Sequence, residues 1–556
     1  MRVFRHLKLW PLICLLVCSL VAVPTLTVLA SVFQPFGPEW KHLAETRLPL
    51  YIRNTAILAV SVCLLSALVG TASAWLVTAC DFPGRRVFHW ALLLPLAVPG
   101  YLAAYAYTDM LAFSGPVQTW LRETFGWGRR DYWFPAVRSL PGAITILTFT
   151  LYPYVYLAAR TAFVEQSSCV MEVGRTLGRG PWRGFLTVAL PLARPSIAAG
   201  TSLVMMETLA DFGAVEYCAV DTFATGIYRT WRSLEAPTAA AQLAAVLLSV
   251  VTLVVLVEVL ARRRARFYQM SHRGQPMRRA KLGPLGSIGA LVVCGPPVLL
   301  GFVLPAGIFV HMAVTTGDQR AAEVVTDFGR NTLWLAGLAA AIAVILALLV
   351  AYSRRLSGAV GFAAGKTAAL GYALPGTVVA VGLLAPLSWL DHRINEWFVA
   401  AFRWQPGLIL TGSIVALVFG YQTRFLGVAL AMIESSFDRI RPSMDDAART
   451  LGASSVRLIL RVHLPLLRAG LFAALLLVFV DVVKELPATL MLRPFNFDTL
   501  AVRVYLLASD ERLEEASFGA LVIIAIGLLP VVILSTLLDR HRTTATVRQL
   551  DETAMQ

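Results

Sequence analysis

Residues 172–191 read EVGRTLGRGPWRGFLTVALP, and residues 446–465 read DAARTLGASSVRLILRVHLP. Each copy runs from an acid (Glu172, Asp446) through a glycine (Gly178, Gly452) to Leu190-Pro191 or Leu464-Pro465, and the Arg-Thr-Leu-Gly core is the same in both. A polar, arginine-bearing segment written twice between long apolar stretches predicts two equivalent docking elements on one membrane protein. Gly178 and Gly452 permit a sharp turn after a short helix, and Pro191 and Pro465 are expected to break the chain before the next span. Arg175, Arg179, Arg183, Arg449, Arg457 and Arg461 offer positive charge to a partner.

The composition agrees. Hydrophobic residues make up 57% of the 556-residue chain and charged residues 15%, with a mean hydropathy of +0.69. These values lie outside the soluble range and define an integral membrane protein. Spans of roughly 20 apolar residues fall near 10–33, 54–79, 87–110, 140–163, 195–217, 238–261, 286–313, 331–352, 367–390, 408–432, 467–491 and 516–538. The reading is an all-α polytopic membrane protein with about twelve transmembrane helices. Arg2, Arg5 and Lys8 precede the first apolar run, which is too long for a signal peptide and is taken as a retained span.

The net charge of +15 lies where it argues against a nucleic-acid partner. The connection 262–281 carries Arg262, Arg263, Arg264, Arg266, Arg273, Arg278, Arg279 and Lys281 with no acid. The positive-inside rule makes it cytoplasmic, along with both termini and both repeated loops. The opposite connections mix signs. Only 111–139, with Arg122, Arg129, Arg130 and Arg138, fits poorly.

Further pairs repeat in register: Arg53-Asn54-Thr55 with Arg330-Asn331-Thr332, and Pro99-Gly100 with Pro375-Gly376. The chain therefore divides into a first repeat over 1–262 with its loop at 165–194 and a basic linker at 263–284. A second repeat over 285–540, with its loop at 434–468, and a tail at 541–556 follow. An even number of spans per repeat makes two parallel six-helix halves, with a pathway expected between them.

The doubled loop resembles the signature of binding-protein-dependent ABC importer permeases: acid-Ala-Ala, three variable residues, Gly, and then a Leu-Pro. Asp446-Ala447-Ala448 matches with Asp for Glu, whereas Glu172-Val173-Gly174 keeps only the acid. The resemblance implies a short cytoplasmic coupling helix seated in a cleft of a separate ATPase subunit, two copies of which each grip one loop. It also implies a periplasmic substrate-binding protein outside. ATP is then used by the partner, and this chain binds no cofactor of its own. The stretches 481–505 (DVVKELPATLMLRPFNFDTLAVRVY) and ETLADFGAVEY resemble the fused permeases of ferric iron importers. Thiamine, polyamine and phosphonate permeases share the architecture.

Aligned on the loop prolines, Glu207 corresponds to Asp481 and Asp211 to Glu485, which places two carboxylates one turn apart on a helical face in each half. Charged groups within a span are costly and commonly face a cavity or a partner. Four carboxylates would suit a hard cation, but Lys484 leaves structural pairing equally open, with a gate or binding-protein contact at the outer face as the third reading. Tyr101, Tyr105, Tyr107, Tyr152, Tyr154 and Tyr156 read as interfacial anchors before iron ligands. The seven cysteines lack CxxC spacing, and the eight histidines are scattered singly, so no metal is assigned. Gly361-Phe362-Ala363-Ala364-Gly365-Lys366-Thr367 is one residue short of a phosphate-binding loop, and no catalytic constellation marks an enzyme. An ion-gradient-driven carrier is the alternative from another class.

Overall fold

The computed structural model describes residues 2–165, 181–264, 279–316, 321–357, 371–438 and 440–554. Among them, ten helices are long and apolar enough to cross a membrane, and a bent pair, Arg85–Ala97 with Gly100–Phe125, makes an eleventh if counted as one span. In lipid every backbone N–H and C=O needs an internal partner, which is why such runs form helices. The expected span 367–390 is the one without a counterpart. It begins outside the described residues, and its helix Gly376–Phe402 carries Asp391, His392, Arg393 and Glu396 in its second half. The phosphate-loop look-alike at 361–367 also lies outside the described residues.

Pro99-Gly100 and Pro375-Gly376 mark equivalent bends. Each proline is the residue before a helix, with φ/ψ of −57°/144° at Pro99 and −56°/141° at Pro375. Each bend follows a short 3-10 turn, Leu94–Ala97 or Gly371–Ala373. The second repeated motif is equally matched. Asn54 Nδ2 donates to the Asp221 carbonyl at 3.0 Å, and Asn331 Nδ2 donates to the Asp498 carbonyl at 3.3 Å. Both bonds span 167 positions.

The two compact units cut across these sequence halves. One comprises Met1–Leu48, Phe223–Ser249 and Gln319–Leu506; the other comprises Pro49–Thr222, Val250–Asp318 and Leu507–Gln556. In the first unit the N-terminal helix Arg2–Ser31 packs on Ala321–Ser357 and Gly376–Phe402. Small residues permit the approach: a Cβ on Gly382 would clash with the Pro24 backbone. Polar ties fix the register, with Ser353 Oγ donating to the Trp10 carbonyl at 2.9 Å and Gln242 Nε2 donating to the Ser31 carbonyl at 3.2 Å.

In the second unit Leu140–Glu165 packs along Leu190–Ala210, and Leu304–Thr316 packs along Leu513–Ala554. A Cβ on Gly200 would stand 2.9 Å from Val155 Cα, so glycine sets that helix separation. A two-residue parallel pairing, Cys80–Asp81 with Ala280–Lys281, ties the end of the second span to the end of the basic linker. The six described cysteines are all buried and unbridged.

The tyrosines differ from the anchor reading. Tyr101, Tyr105, Tyr152 and Tyr156 are core residues. Tyr152 and Tyr156 donate to the Leu92 and His89 carbonyls at 3.0 and 3.1 Å. A buried phenol needs such an acceptor, and these spend their hydroxyls on the backbone.

Candidate functional site

The second loop is fully described. Its helix, Pro442–Thr450, begins at a proline, whose missing N–H costs nothing in a first turn. Gly452 follows it with φ +78°. The Ala453 N–H bonds the Ala448 carbonyl, and the Gly452 N–H bonds the Arg449 carbonyl, both at 3.0 Å. That is the Schellman closure; it gives Ala448 a backbone task, while the N–H of Leu451 bonds the Ala447 carbonyl at 3.2 Å. The glycine turn expected from sequence is present.

Two adjacent acids on this helix have opposite environments. Asp446, the motif acid, has a side chain 73% exposed and, among the described residues, pairs with Arg449 at 3.3 Å. Asp445 is buried. It takes a hydrogen bond from Arg355 Nε at 2.7 Å and pairs with His463 Nε2 at 2.9 Å. Arg355 also donates to the carbonyls of Phe437 and Ile440, at 3.2 and 2.9 Å. One guanidinium thus joins the end of a span to the helix that follows it. The His463 ring lies between Tyr352 and Phe437, 5.6 and 5.3 Å away. Burial alone would raise the Asp445 carboxyl, but hydrogen bonds from His463 and Arg355 and their charges hold it below the usual carboxylate range.

With this clamp holding one face, the loop turns apolar side chains outward. Leu451 is 87% exposed, and Met444, Val456 and Leu460 are also exposed. Exposed apolar side chains therefore stand beside the exposed Asp446, Arg449 and Arg457 on this loop.

Glu172 and Gly178 of the first loop lie outside the described residues, as do Arg175 and Arg179. Leu190 and Pro191 are described, and with Leu464 and Pro465 they depart from the expected break. Pro181–Ala210 and Ser455–Val483 each run on as helix through a π-helical turn, Phe185–Ala189 or Ile459–His463. The N–H of Leu190 bonds the Phe185 carbonyl, and that of Leu464 bonds the Ile459 carbonyl. A proline cannot donate, and its ring crowds the carbonyl four residues back; the wider turn absorbs both demands. Leu299–Val303, ahead of Leu304-Pro305, repeats the device.

The three clamp residues are not repeated in the sequence of the first half. In the repeat register, Thr78, Met171 and Ala189 stand where the second half has Arg355, Asp445 and His463. Around Ala189 the first half is apolar, with Trp75 against Phe163 at 5.4 Å and Phe185 at 4.8 Å.

The carboxylates expected on one helical face are split by helix ends. Glu207 and Asp481 lie within Leu190–Ala210 and Leu464–Val483, but Asp211 and Glu485 fall beyond the last turns. Each then caps the next short helix. Asp211 Oδ1 accepts the N–H groups of Ala214 and Val215 at 3.1 Å, and Glu485 Oε1 accepts that of Ala488 at 3.0 Å. Capping a helix start is what a carboxylate does well.

Glu485 is also paired with Arg424 in a buried contact. Lys484 reaches Asp481 at 3.0 Å, the structural pairing left open in the sequence. Arg424 is the basic group that sequence reasoning passed over. Its signal was its place inside an otherwise apolar span, and its first-half counterpart is Thr150. The repeated glycines also find their reason here. A Cβ on Gly376 would stand 2.6 Å from Glu485 Oε1, and one on Gly100 would stand 3.3 Å from Asp211 Oδ2. Among the described residues no three His, Cys, Asp or Glu side chains form a metal-holding group.

These features describe a polytopic membrane protein with a short helix outside its spans, and comparison with known proteins gives its class. The profile described as "Binding-protein-dependent transport system inner membrane component" matches residues 12–266. The molybdenum transport system permease protein ModB of Escherichia coli is 30% identical over 177 residues, covering 70% of that protein and 32% of this chain. The chain belongs to this family of binding-protein-dependent inner-membrane permeases.

Within it, the chain is 26% identical over 506 residues to the Fe(3+)-transport system permease protein FbpB 2 of Haemophilus influenzae, covering 88% of this chain and 90% of that one. It is 24% identical over 553 residues to the ferric transport system permease protein FbpB of Actinobacillus pleuropneumoniae, covering 95% and 76%.

Proposed function

We propose that this chain is the two-repeat transmembrane subunit of an ABC importer that carries ferric iron across the bacterial inner membrane. The observation that carries the cargo is similarity over nearly the whole chain to ferric permeases. Two copies of an ATPase subunit engage the loops around Glu172 and Asp446 and supply the energy. A periplasmic binding protein delivers iron from the other side. Both termini and the basic linker face the cytoplasm, where the positive-inside rule places them. The chain hydrolyses no ATP itself.

Coupling follows from the clamp. Asp446, Leu451 and Arg449 present the contact, and Asp445, Arg355 and His463 transmit its displacement to the ends of three helices. A shift of the docked helix is thereby conveyed as a rigid-body movement instead of being lost in a slack loop. Asp211, Glu485, Arg424 and the Asp481–Lys484 pair act as braces at the helix breaks.

The test is uptake of radiolabelled ferric iron in cells lacking their own ferric importers, supplied with this chain, its ATPase and its binding protein. ATP-dependent uptake that ignores thiamine and putrescine and vanishes with Gly452→Asp is the expected result. Competition by thiamine or putrescine reassigns the cargo. Uptake indifferent to Gly452→Asp and to ATP points to a gradient-driven carrier.

A further inference from the structure

The connection 111–139 breaks the charge rule that the other connections obey, and the structure shows what its arginines surround. A cavity of about 530 Å³ opens beside it, lined by Thr108, Gln118, Arg129, Tyr132, Arg138 and Glu511 among others. That size suits a small ligand rather than a protein side chain. Its walls are braced. Tyr132 Oη donates to Gln118 Oε1 at 2.7 Å, Gln118 Nε2 donates to the Leu111 carbonyl at 2.9 Å, and Tyr132 stacks on Trp127 at 5.5 Å.

The two lining arginines are held by rings, not by acids. Arg129 lies 5.2 Å from the Phe113 centroid and Arg138 lies 5.0 Å from that of Tyr217. Ring contacts orient a guanidinium without neutralising it. Among the described residues, Arg129 and Arg138 make no salt bridge, and Glu511 is the one acid on the wall. Thr108 supplies an independent sign. Its side chain is 4% exposed, it lines the cavity, and its Oγ1 has no hydrogen-bond partner. A buried hydroxyl left unpaired in a polar cavity is where a ligand oxygen belongs.

We propose that this cavity binds a small oxyanion of the carboxylate or phosphate class, with Arg129 and Arg138 as its charge partners and Thr108 Oγ1 as a donor. Planar guanidinium groups bond such oxygens in pairs. The site deepens the cargo reading above and rests on it only for its side of the membrane. Two arginines against the single carboxylate of Glu511 leave the wall net positive, which favours iron that arrives with oxyanion ligands over a bare ferric ion.

The test uses the full chain in lipid nanodiscs, titrated calorimetrically with citrate, inorganic phosphate and ferric citrate. Sub-millimolar binding of citrate or phosphate is expected, and Arg129→Gln/Arg138→Gln should weaken it at least tenfold with an unchanged melting temperature. If the double variant misfolds, Thr108→Val removes the hydroxyl at constant shape and should weaken binding severalfold. Tighter binding of ferric citrate than of citrate identifies the anion as iron's companion, and equal binding identifies a free anion; both support the site. Absence of binding to all three probes, or variants that bind like the wild type, would overturn it. So would a double variant that loses only the periplasmic binding protein, which would make the cavity a docking surface. Oxyanion binding without iron uptake supports the site and sinks the cargo reading instead.

Discussion

Asp445→Asn tests the clamp most directly. The carboxylate is buried between Arg355 and His463. Asparagine keeps the shape and one acceptor, but it removes the charge and turns an amide towards one of the two donors. Breaking a buried pair by removing one partner costs about 3–5 kcal/mol. The retained acceptor places this change near the lower figure, about 3 kcal/mol, which is roughly a 150-fold rise in the undocked population of the helix. The cost is local, because Pro442–Thr450 is a short element outside the spans. Limited trypsin digestion of the full chain in nanodiscs reads that population through cleavage after Arg449, provided opening and closing outpace cleavage. Asp446→Asn is the control: its partner Arg449 is exposed, so cleavage should stay within about threefold of wild type. In the assembled importer, Asp445→Asn should also uncouple ATP turnover from the binding protein while leaving basal turnover. If Asp445→Asn is cut no faster than Asp446→Asn, the clamp does not hold the helix.

Other outcomes follow from the same physics. Gly452→Ala forces a side chain into φ +78° and should cost about 1–2 kcal/mol locally, read as lost exchange protection at the amides of Gly452 and Ala453. Glu485→Gln should lower folded yield by stranding Arg424, and Arg424→Met/Glu485→Leu should recover it. A thermal-unfolding series that finds the double variant as poor as the single would refute a structural pair. Asp391 is buried and accepts the N–H groups of Ile409, Leu410 and Thr411 at 3.0, 2.9 and 2.7 Å. Burial pushes its carboxyl up, but those bonds hold it below its ordinary value. Its stabilisation is therefore complete above the unfolded carboxylate range, about pH 4, and lost as pH falls through the folded value. Asp391→Asn should cost about 1–3 kcal/mol at pH 7 and flatten the acid side of a stability profile recorded from pH 7 to 3.

Much of this architecture is legible in the chain because lipid imposes a coarse rule. Long apolar runs must become helices, and motifs as local as Pro-Gly or Arg-Thr-Leu-Gly survive in both halves. The span expected at 367–390 begins outside the described residues and ends beside Asp391, a charge that sequence treats as a terminus and the structure uses to close a loop. The motif acid stands out in sequence, whereas its neighbour Asp445 acquires its role from Arg355, 90 positions away, and from His463, 18 positions away. The Arg424–Glu485 pair spans 61 positions. Periodicity reports which face a residue shares, and it is silent on which distant residue meets it. The proline break fails for a related reason: a proline strains an α-helical turn, and a π-helical turn before Leu-Pro relieves the strain and lets the helix run on.

The composition of the compact units sets a schedule for making the protein. Met1–Leu48 belongs with Phe223–Ser249 and Gln319–Leu506, so the first helix emerges on the order of 15–55 s before the last-made segment of its unit begins, at about 5–20 residues per second. Meanwhile it must persist in the bilayer with at most Phe223–Ser249 of its unit beside it, and Leu12–Ser31 is apolar enough to do so. The second unit likewise waits for Leu507–Gln556. A gene severed between the repeats would thus yield two products, neither of which completes a unit until the other has been translated.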